Sequence, residues 1–384
     1  MTATCTAAEF RAWATIDLQA LRDNLALARQ TKPSAAVVAV VKANGYGHGL
    51  LAVARALLPE LRPQDCLGVA TLEEGLALRQ ADIHAPVLLL EGTLTESELL
   101  QALRHDFMCV IHSLYQLRHL QDLLNDNPDA NTIVWLKLDT GMHRLGLNAR
   151  DFGAAWHALQ GMRGISRVIV MSHLACADDP ASLATERQWQ FFASTLTQAG
   201  VAPAQQEISL AASAGILAWP QTHFDWLRPG IMIYGGSPMI GEKGPDRGLR
   251  PAMTLRSRLI AINEVAAGEA VGYGGTYLAA QGARLGVVSI GYGDGYPRKA
   301  PNGTPVLVRF RRGARVMSQR CPLAGRVSMD MLIVDLGDCP EAAVGDEVVL
   351  WGEGLPADEI ASHCGTISYE LFCQVTARVH YVYC

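Results

Sequence analysis

No apolar run in this chain is long enough to span a membrane as a helix. Its first residues, MTATCTAAEFRAW, have no basic flank ahead of an apolar core, so a signal peptide is not expected. Positive charge is not in excess. There are 32 Lys and Arg against 37 Asp and Glu, a formal net charge of −5, which argues against nucleic acid as the main partner. There is no CxxC, and His112, His143 and His157 lack metal-ligand spacing, so no metal site is expected. The nine cysteines are an odd, scattered set. A complete disulfide framework cannot be built from them, and free thiols suit a reducing cytoplasm. Low-complexity segments are absent. The stretch GYGDG lacks both GxGxxG spacing and a following helix, which rejects a nucleotide loop.

What the chain has is a globular composition, 49% apolar and 18% charged, over 384 residues, enough for two domains. It is organised around residues 35–49, AAVVAVVKANGYGHG. Seven small or β-branched apolar residues predict a strand buried on both faces, as in a parallel sheet. The run stops at Lys42, and a glycine-rich turn follows that lets backbone approach a ligand closely. A lysine that loses hydration becomes a better amine nucleophile. On this stretch alone, a lysine snorkelling from a strand end explains the pattern equally well.

The first 235 residues repeat one pattern, short apolar runs alternating with amphipathic stretches. The runs are 37–41, 66–70, 87–90, 109–111, 133–138, 168–171, 208–211 and 224–228. Between them, Leu18–Gln30 carries Leu18, Leu21, Leu25 and Ala28 on one face behind an Asp17 cap, and Thr95 with Glu98 reads as a capping box. Eight βα units predict an α/β fold, an eight-stranded (β/α)8 TIM-type barrel over 1–240; an open doubly wound sheet is the alternative. Residues 239–250 read as a linker. The runs 254–262, 284–290, 306–310, 332–335 and 348–351 then predict a mostly β domain over 241–384, with a helix around 356–363. Residues 1–16 are expected to pair with this second domain.

In a barrel the functional residues sit where strands end. Those ends are Lys42 after the first run, Lys137 with Asp139 at the fifth, His173 after the sixth, Ser213 after the seventh and Arg228 closing the eighth. Pro229, Gly230 and Ile231 then begin a short helix-like run, where free N–H groups attract a phosphate. An amine nucleophile beside a phosphate anchor fits pyridoxal 5′-phosphate.

The chain resembles the alanine racemases, which are PLP enzymes built of a barrel and a β domain. The matching stretches, in order, are AVVKANGYGHG, LKLDTGMHRLG, MSHLA, FDWLRPGIMIYG, AMTLRSRL, VGYGGTY, GYGDGYPR, GRVSMDM and TISYE. The resemblance implies that Lys42 holds the cofactor as a Schiff base and moves a proton, with Tyr273 as the opposite catalytic residue. It implies that His173 and Arg228 support that tyrosine, and that Arg228 faces the pyridine nitrogen. Tyr46, Ser213, Gly230, Ile231 and Tyr369 match phosphate contacts. Arg144 matches the arginine on the substrate carboxylate, and Lys137 matches a lysine that is N-carboxylated in many members. A lysine paired with Asp139 or another carboxylate is the alternative for Lys137. Met329, Asp330 and Tyr292 match residues beside the substrate, and Tyr277 matches one lining the mouth. Two departures are Ala212, where the family often has Asn, and His380, where an arginine is expected.

The implied activity is interconversion of L- and D-alanine by proton transfer on two faces of Cα. The implied assembly is a cytoplasmic homodimer with shared sites, supplying D-alanine for cell-wall precursors. A broader-specificity or serine-accepting racemase is the alternative. A decarboxylase of the same architecture usually sets an acidic residue at the pyridine nitrogen, which Arg228 opposes, and a non-catalytic PLP carrier has no use for Tyr273.

Overall fold

The computed structural model describes residues 10–313 and 315–384. The chain divides into two compact units. One holds Arg22–Ile233 and Pro238–Gly241; the other holds, of the described residues, those from 10 to 21, Tyr234–Ser237 and Glu242–Cys384. Among the described residues, no helix is long and apolar enough to cross a membrane.

After β1 (Ala12–Ile16), the first unit lays down eight strands. These are β2 (Ala36–Val40), β3 (Cys66–Val69), β4 (Val87–Leu89), β5 (Phe107–Ile111), β6 (Thr132–Lys137), β7 (Ile165–Met171), β8 (Ile208–Ala212) and β9 (Trp226–Arg228). Each pairs in parallel with the next, and β2 pairs with β9. The sheet therefore closes into the expected barrel, and an open sheet is excluded. All five residues of β2 are buried, which is why the sequence there is continuously apolar rather than alternating.

Side-chain caps start several of the intervening helices. Asp17 Oδ1 accepts from the Ala20 N–H at 2.9 Å, ahead of the helix Leu18–Gln30. Thr95 Oγ1 accepts from the Glu98 N–H at 3.1 Å. Glu98 reaches back to the Leu94 N–H at 2.7 Å, one residue before the cap, so the expected capping box is displaced by one position.

The second unit is mostly antiparallel β. Its strands are β1, β10 (Met253–Val265), β11 (Ala270–Val271), β12 (Tyr277–Leu278), β13 (Ala283–Val288), β14 (Pro305–Arg312), β15 (Arg315–Pro322), β16 (Leu332–Asp335), β17 (Glu347–Trp351) and β18 (His380–Tyr383). The main order is β15-β14-β17-β10-β1-β18, with β13 joining β10 to β16. Register shifts in β10 let its first half pair with β17 and its second half with β13. Of segment 1–16, residues 1–9 lie outside the described residues. The remainder supplies β1, which runs antiparallel to β10 and parallel to β18.

Candidate active site

Strand β2 ends at Val40, and the chain then makes a left-handed turn. Ala43, Asn44, Gly45 and Tyr46 all have φ between 49° and 61°. Such a run costs roughly 1–2 kcal/mol per non-glycine residue, so surrounding bonds must hold it. Gly45 N–H donates to the Val41 carbonyl at 2.8 Å, and Gly47 N–H to Ala43 at 2.9 Å. Asn44 Oδ1 accepts from the Leu50 N–H at 2.9 Å. Glu74 accepts from the Ala43 N–H at 2.6 Å and from the Ala70 N–H at 2.8 Å. This cradle fixes Lys42 at the end of the strand.

Arg228, at the end of β9, is buried. Its Nη1 donates to Ser209 Oγ at 2.5 Å. Its Nη2 donates to the Ser172 carbonyl at 2.6 Å, the Leu210 carbonyl at 3.1 Å and His173 Nδ1 at 3.4 Å. Burial lowers the guanidinium to about 10, which still leaves it charged at neutral pH. Burial first, then Arg228, Lys137, Arg144 and Lys42, holds His173 well below the usual histidine range. His173 is therefore a neutral imidazole. Because Nδ1 accepts from Arg228, the ring proton sits on Nε2.

Lys137, at the end of β6, is 7% exposed. Burial, followed by Arg228, Arg144 and Lys42, lowers it to about 8, opposed by Asp139. The alternative pairing with Asp139 is not formed. That carboxylate turns into its own loop, accepting from the N–H groups of Gly141 at 2.9 Å and His143 at 3.1 Å, and from His143 Nδ1 at 3.0 Å. Arg144 is exposed.

Ser213 follows β8 and gathers the last group. Its Oγ accepts from the Gly230 N–H at 2.9 Å and the Met232 N–H at 3.4 Å. A Cβ on Gly230 would lie 2.5 Å from Tyr46 Oη, so only glycine lets that hydroxyl seat there. Ile231 opens the short turn Ile231–Tyr234 at the same place. Lys42, Lys137, Arg144 and Arg228 surround His173 with positive charge, and the Asp139 carboxylate is occupied elsewhere. Cationic side chains, two hydroxyls and a glycine-lined cradle suit a dianionic phosphate and a substrate carboxylate. The residues present therefore fit pyridoxal 5′-phosphate.

The second unit presents a different set. Tyr273 stands on a turn between Gly272 and Gly274, both with φ near 70°, and is 70% exposed. The Arg326 guanidinium packs against Gly274. Tyr292, Met329 and Asp330 are drawn together by backbone bonds, Tyr292 N–H to Ser328 at 3.0 Å and Gly293 N–H to Met329 at 2.8 Å. Arg378 Nη2 donates to Asp330 at 2.6 Å, and Arg378 Nε also pairs with Asp294 at 3.2 Å. Asp294 is fully buried and pairs with Arg11 as well.

Neither Arg378 nor Asp294 was singled out by the sequence reading. Asp294 lies inside the glycine-rich GYGDG and Arg378 opens the terminal RVHYVYC, so both stood within quoted stretches without a local signal of the pairing. Tyr277, expected at the mouth, has a carboxylate partner that the sequence did not signal. Its hydroxyl donates to Asp335 at 2.6 Å, and that bond, with burial, raises the phenol to about 12. Tyr369 is half-buried in the helix Ser368–Gln374.

Two domain families match in order. The alanine racemase N-terminal domain covers residues 16–238 and the alanine racemase C-terminal domain covers residues 252–383. The chain is 47% identical over 375 residues to an alanine racemase of Vibrio cholerae serotype O1, spanning 97% of this chain and 98% of that one. Among solved structures it is similar to the biosynthetic alanine racemase from Pseudomonas aeruginosa. There the TM-score is 0.88 at 47% identity, covering 97% and 99% of the two chains. The alanine racemase from Acinetobacter baumannii also aligns with a TM-score of 0.88, at 36% identity over 97% and 99%.

Proposed function

The chain belongs to the alanine racemase family, and from that premise we propose that Lys42 and Tyr273 are the two residues that move protons. The protein is a PLP-dependent enzyme that interconverts L- and D-alanine. The bound cofactor withdraws electrons from Cα and so acidifies its hydrogen. Everything else falls to the chain's own residues.

Lys42 holds the cofactor through Nζ and exchanges a proton on one face of Cα. Tyr273 exchanges a proton on the other. Ser213 and Tyr46 donate hydroxyls to the phosphate, Gly230 and Ile231 their backbone N–H groups, and Tyr369 a further hydroxyl. Arg228 keeps its proton, since its guanidinium titrates near 10, and so leaves the pyridine nitrogen unprotonated. His173, neutral and donating from Nε2, links Arg228 to the tyrosine. Arg144 takes the substrate carboxylate. Lys137 in N-carboxylated form is the anion that orients Arg144, and Met329, Asp330 and Tyr292 line the substrate.

The observation that carries this reading is the end of the barrel, where buried Arg228 donates to His173 Nδ1 at 3.4 Å and Ser213 Oγ gathers the Gly230 and Met232 N–H groups. A lone lysine exchanges protons on one face only, so racemisation needs a second group. Tyr273, 70% exposed on a glycine turn, is available to a partner subunit. Met329 and Ile367, 53% and 59% exposed, add apolar surface in the same unit that a second copy would cover. We therefore assign a homodimer in which the β unit of each protomer completes its partner's barrel. The similarity to a biosynthetic alanine racemase supports a role in D-alanine supply.

The test separates the two faces. Lys42→Ala is expected to lose the borohydride-reducible cofactor linkage and all racemisation. Tyr273→Phe is expected to keep that linkage, while exchange of the L-alanine α-hydrogen with solvent deuterium falls by about 100-fold or more. Loss of the cofactor from Tyr273→Phe would instead make the tyrosine a binding residue.

A further inference from the structure

We propose that Tyr277 and Asn302 are positioning residues for Tyr273, clamping the short hairpin that carries it onto the sheet of the second unit. That hairpin is weakly self-supporting. β11 and β12 are two residues each, and among the described residues they pair only with each other, Ala270 with Leu278 and Val271 with Tyr277. Two bonds extend it, Gly268 N–H to the Ala279 carbonyl at 2.8 Å and Ala279 N–H to the Glu269 carbonyl at 2.9 Å. So small a two-stranded ribbon is marginal in water alone. At its tip, Gly272, Gly274 and Gly275 have φ of 70°, 72° and 55°. Glycine loses the most backbone freedom on ordering, so the place of Tyr273 must be set from outside the turn.

Tyr277 supplies one hold. It stands on β12, four residues after Tyr273, and packs against the cluster of Val271, Leu285 and Ala324. Its hydroxyl donates to Asp335 Oδ2 at 2.6 Å, at the end of β16. Asp335 Oδ1 accepts from the Gly337 N–H at 2.8 Å, so the carboxylate is itself fixed. β16 pairs with β13 and β13 with β10, so the bond ties the hairpin to a paired sheet. A hydrogen bond to an ionised acceptor is among the stronger kinds. The same bond, with burial, pushes the Tyr277 phenol up to about 12 and keeps it protonated, which leaves proton exchange to Tyr273.

Asn302 supplies the other. Its Nδ2 donates to the Thr276 carbonyl at 2.7 Å, and its Oδ1 accepts from the Gly325 N–H at 2.7 Å. One amide therefore spans the exit of the glycine turn and the segment that leads into Arg326. The Arg326 guanidinium packs against Gly274, next to Tyr273. The loop that bears Asn302 is held in turn, by Gly303 N–H on the Leu323 carbonyl at 3.0 Å and Leu323 N–H on the Thr304 carbonyl at 2.9 Å. A reacting group misplaced by about 1 Å costs up to about 100-fold in rate. A loosened hairpin therefore slows the proton step that Tyr273 carries and leaves the Lys42 step alone.

The clamp rests on the reading that Tyr273 takes the α-hydrogen of L-alanine. The experiment measures racemisation of α-deuterated L- and D-alanine by holoenzyme carrying Tyr277→Phe or Asn302→Asp. Tyr277→Phe keeps the ring and loses the hydroxyl, while Asn302→Asp keeps the acceptor for Gly325 and loses the donor to Thr276. In each, kcat is expected to fall by about 10-fold. The deuterium isotope effect on L-alanine is expected to rise relative to that on D-alanine, because only the tyrosine step has slowed. Amide hydrogen exchange across residues 268–279 is expected to speed up by about 10-fold, with the barrel strands at wild-type rates. An unchanged ratio of the two isotope effects, hairpin amides at wild-type rates, or faster exchange throughout the chain overturns the clamp. Should one variant fail to fold, the other decides by the same ratio. Tyr273→Phe, run alongside, tests the underlying reading separately: if it still exchanges the L-alanine α-hydrogen at the wild-type rate, that reading and the clamp fall together.

Discussion

Ser213 illustrates how little of the site is redundant at the scale of one residue. Its hydroxyl already serves the Gly230 and Met232 N–H groups, and in the proposed complex it also donates to the phosphate. Ser213→Ala strands a buried N–H and removes a charge-assisted bond, together worth about 1–2 kcal/mol. Cofactor affinity, followed by fluorescence titration, is expected to weaken by about 10-fold or more, with the barrel still folded. Lys137 poses a different question. An unmodified lysine here is buried and sits among three other cations, and burial first, then those charges, hold its ammonium down to about 8. Carboxylation replaces that repulsion with an anion facing Arg144. Enzyme equilibrated with 13C-bicarbonate is expected to show a carbamate carbon resonance by NMR that is missing from Lys137→Ala. A spectrum with no such signal leaves Lys137 an amine.

At the scale of the element, the turn after β2 is the part that resists intuition. Three of its left-handed residues are not glycine, so propensity alone opposes it. Its stability comes from Glu74 and Asn44 and from the packing of Gly45 against Val53. A Cβ on Gly45 would meet Val53 Cγ2 at 3.0 Å in a backbone region that side chains avoid. Gly45→Ala is therefore expected to destabilise the barrel by about 1–2 kcal/mol in denaturant titration. No measurable change would mean the turn relaxes freely.

This element also marks where sequence reading stops. The eight barrel strands were legible because each is a buried apolar run at a regular spacing. The placement of Lys42 and Arg228 at strand ends followed from that. The left-handed turn was not legible, because Ala43 and Asn44 carry no signal for positive φ that outweighs their other uses. Strand β15 was missed because RVMSQRCP is an exposed edge strand with almost no buried face, so it has neither alternation nor hydrophobicity. The partners of Tyr277 and Asp139 were not legible for a related cause. Those partners, Asp335 and the 141–143 loop, are chosen by tertiary geometry.

The whole molecule carries a pH dependence that the buried histidines set. Burial lowers His48 to about 4, and His173 is lowered as well. A histidine whose folded pKa lies below its unfolded value binds fewer protons folded than unfolded. Stability is then complete above about pH 6.5 and is lost as pH falls from there toward the folded pKa. His48 alone accounts for about 2 kcal/mol between pH 7 and pH 5. The midpoint of chemical denaturation is expected to drop over that interval, and His48→Gln is expected to flatten the slope. A midpoint independent of pH in this range would contradict the burial of neutral imidazoles.

Assembly is the remaining property at this scale, and on it rests the assignment of two proton-moving residues from two chains. Lys42→Ala and Tyr273→Phe are each expected to be inactive as homodimers. In a mixed dimer, one site collects both substitutions and the other collects neither. The decisive measurement is racemisation by the mixture after subunit exchange, verified by native mass spectrometry. With equal amounts, half the dimers are mixed and each holds one intact site, so about a quarter of wild-type activity per chain is expected. Exchange without any recovered activity would place both residues in one chain and contradict the shared site.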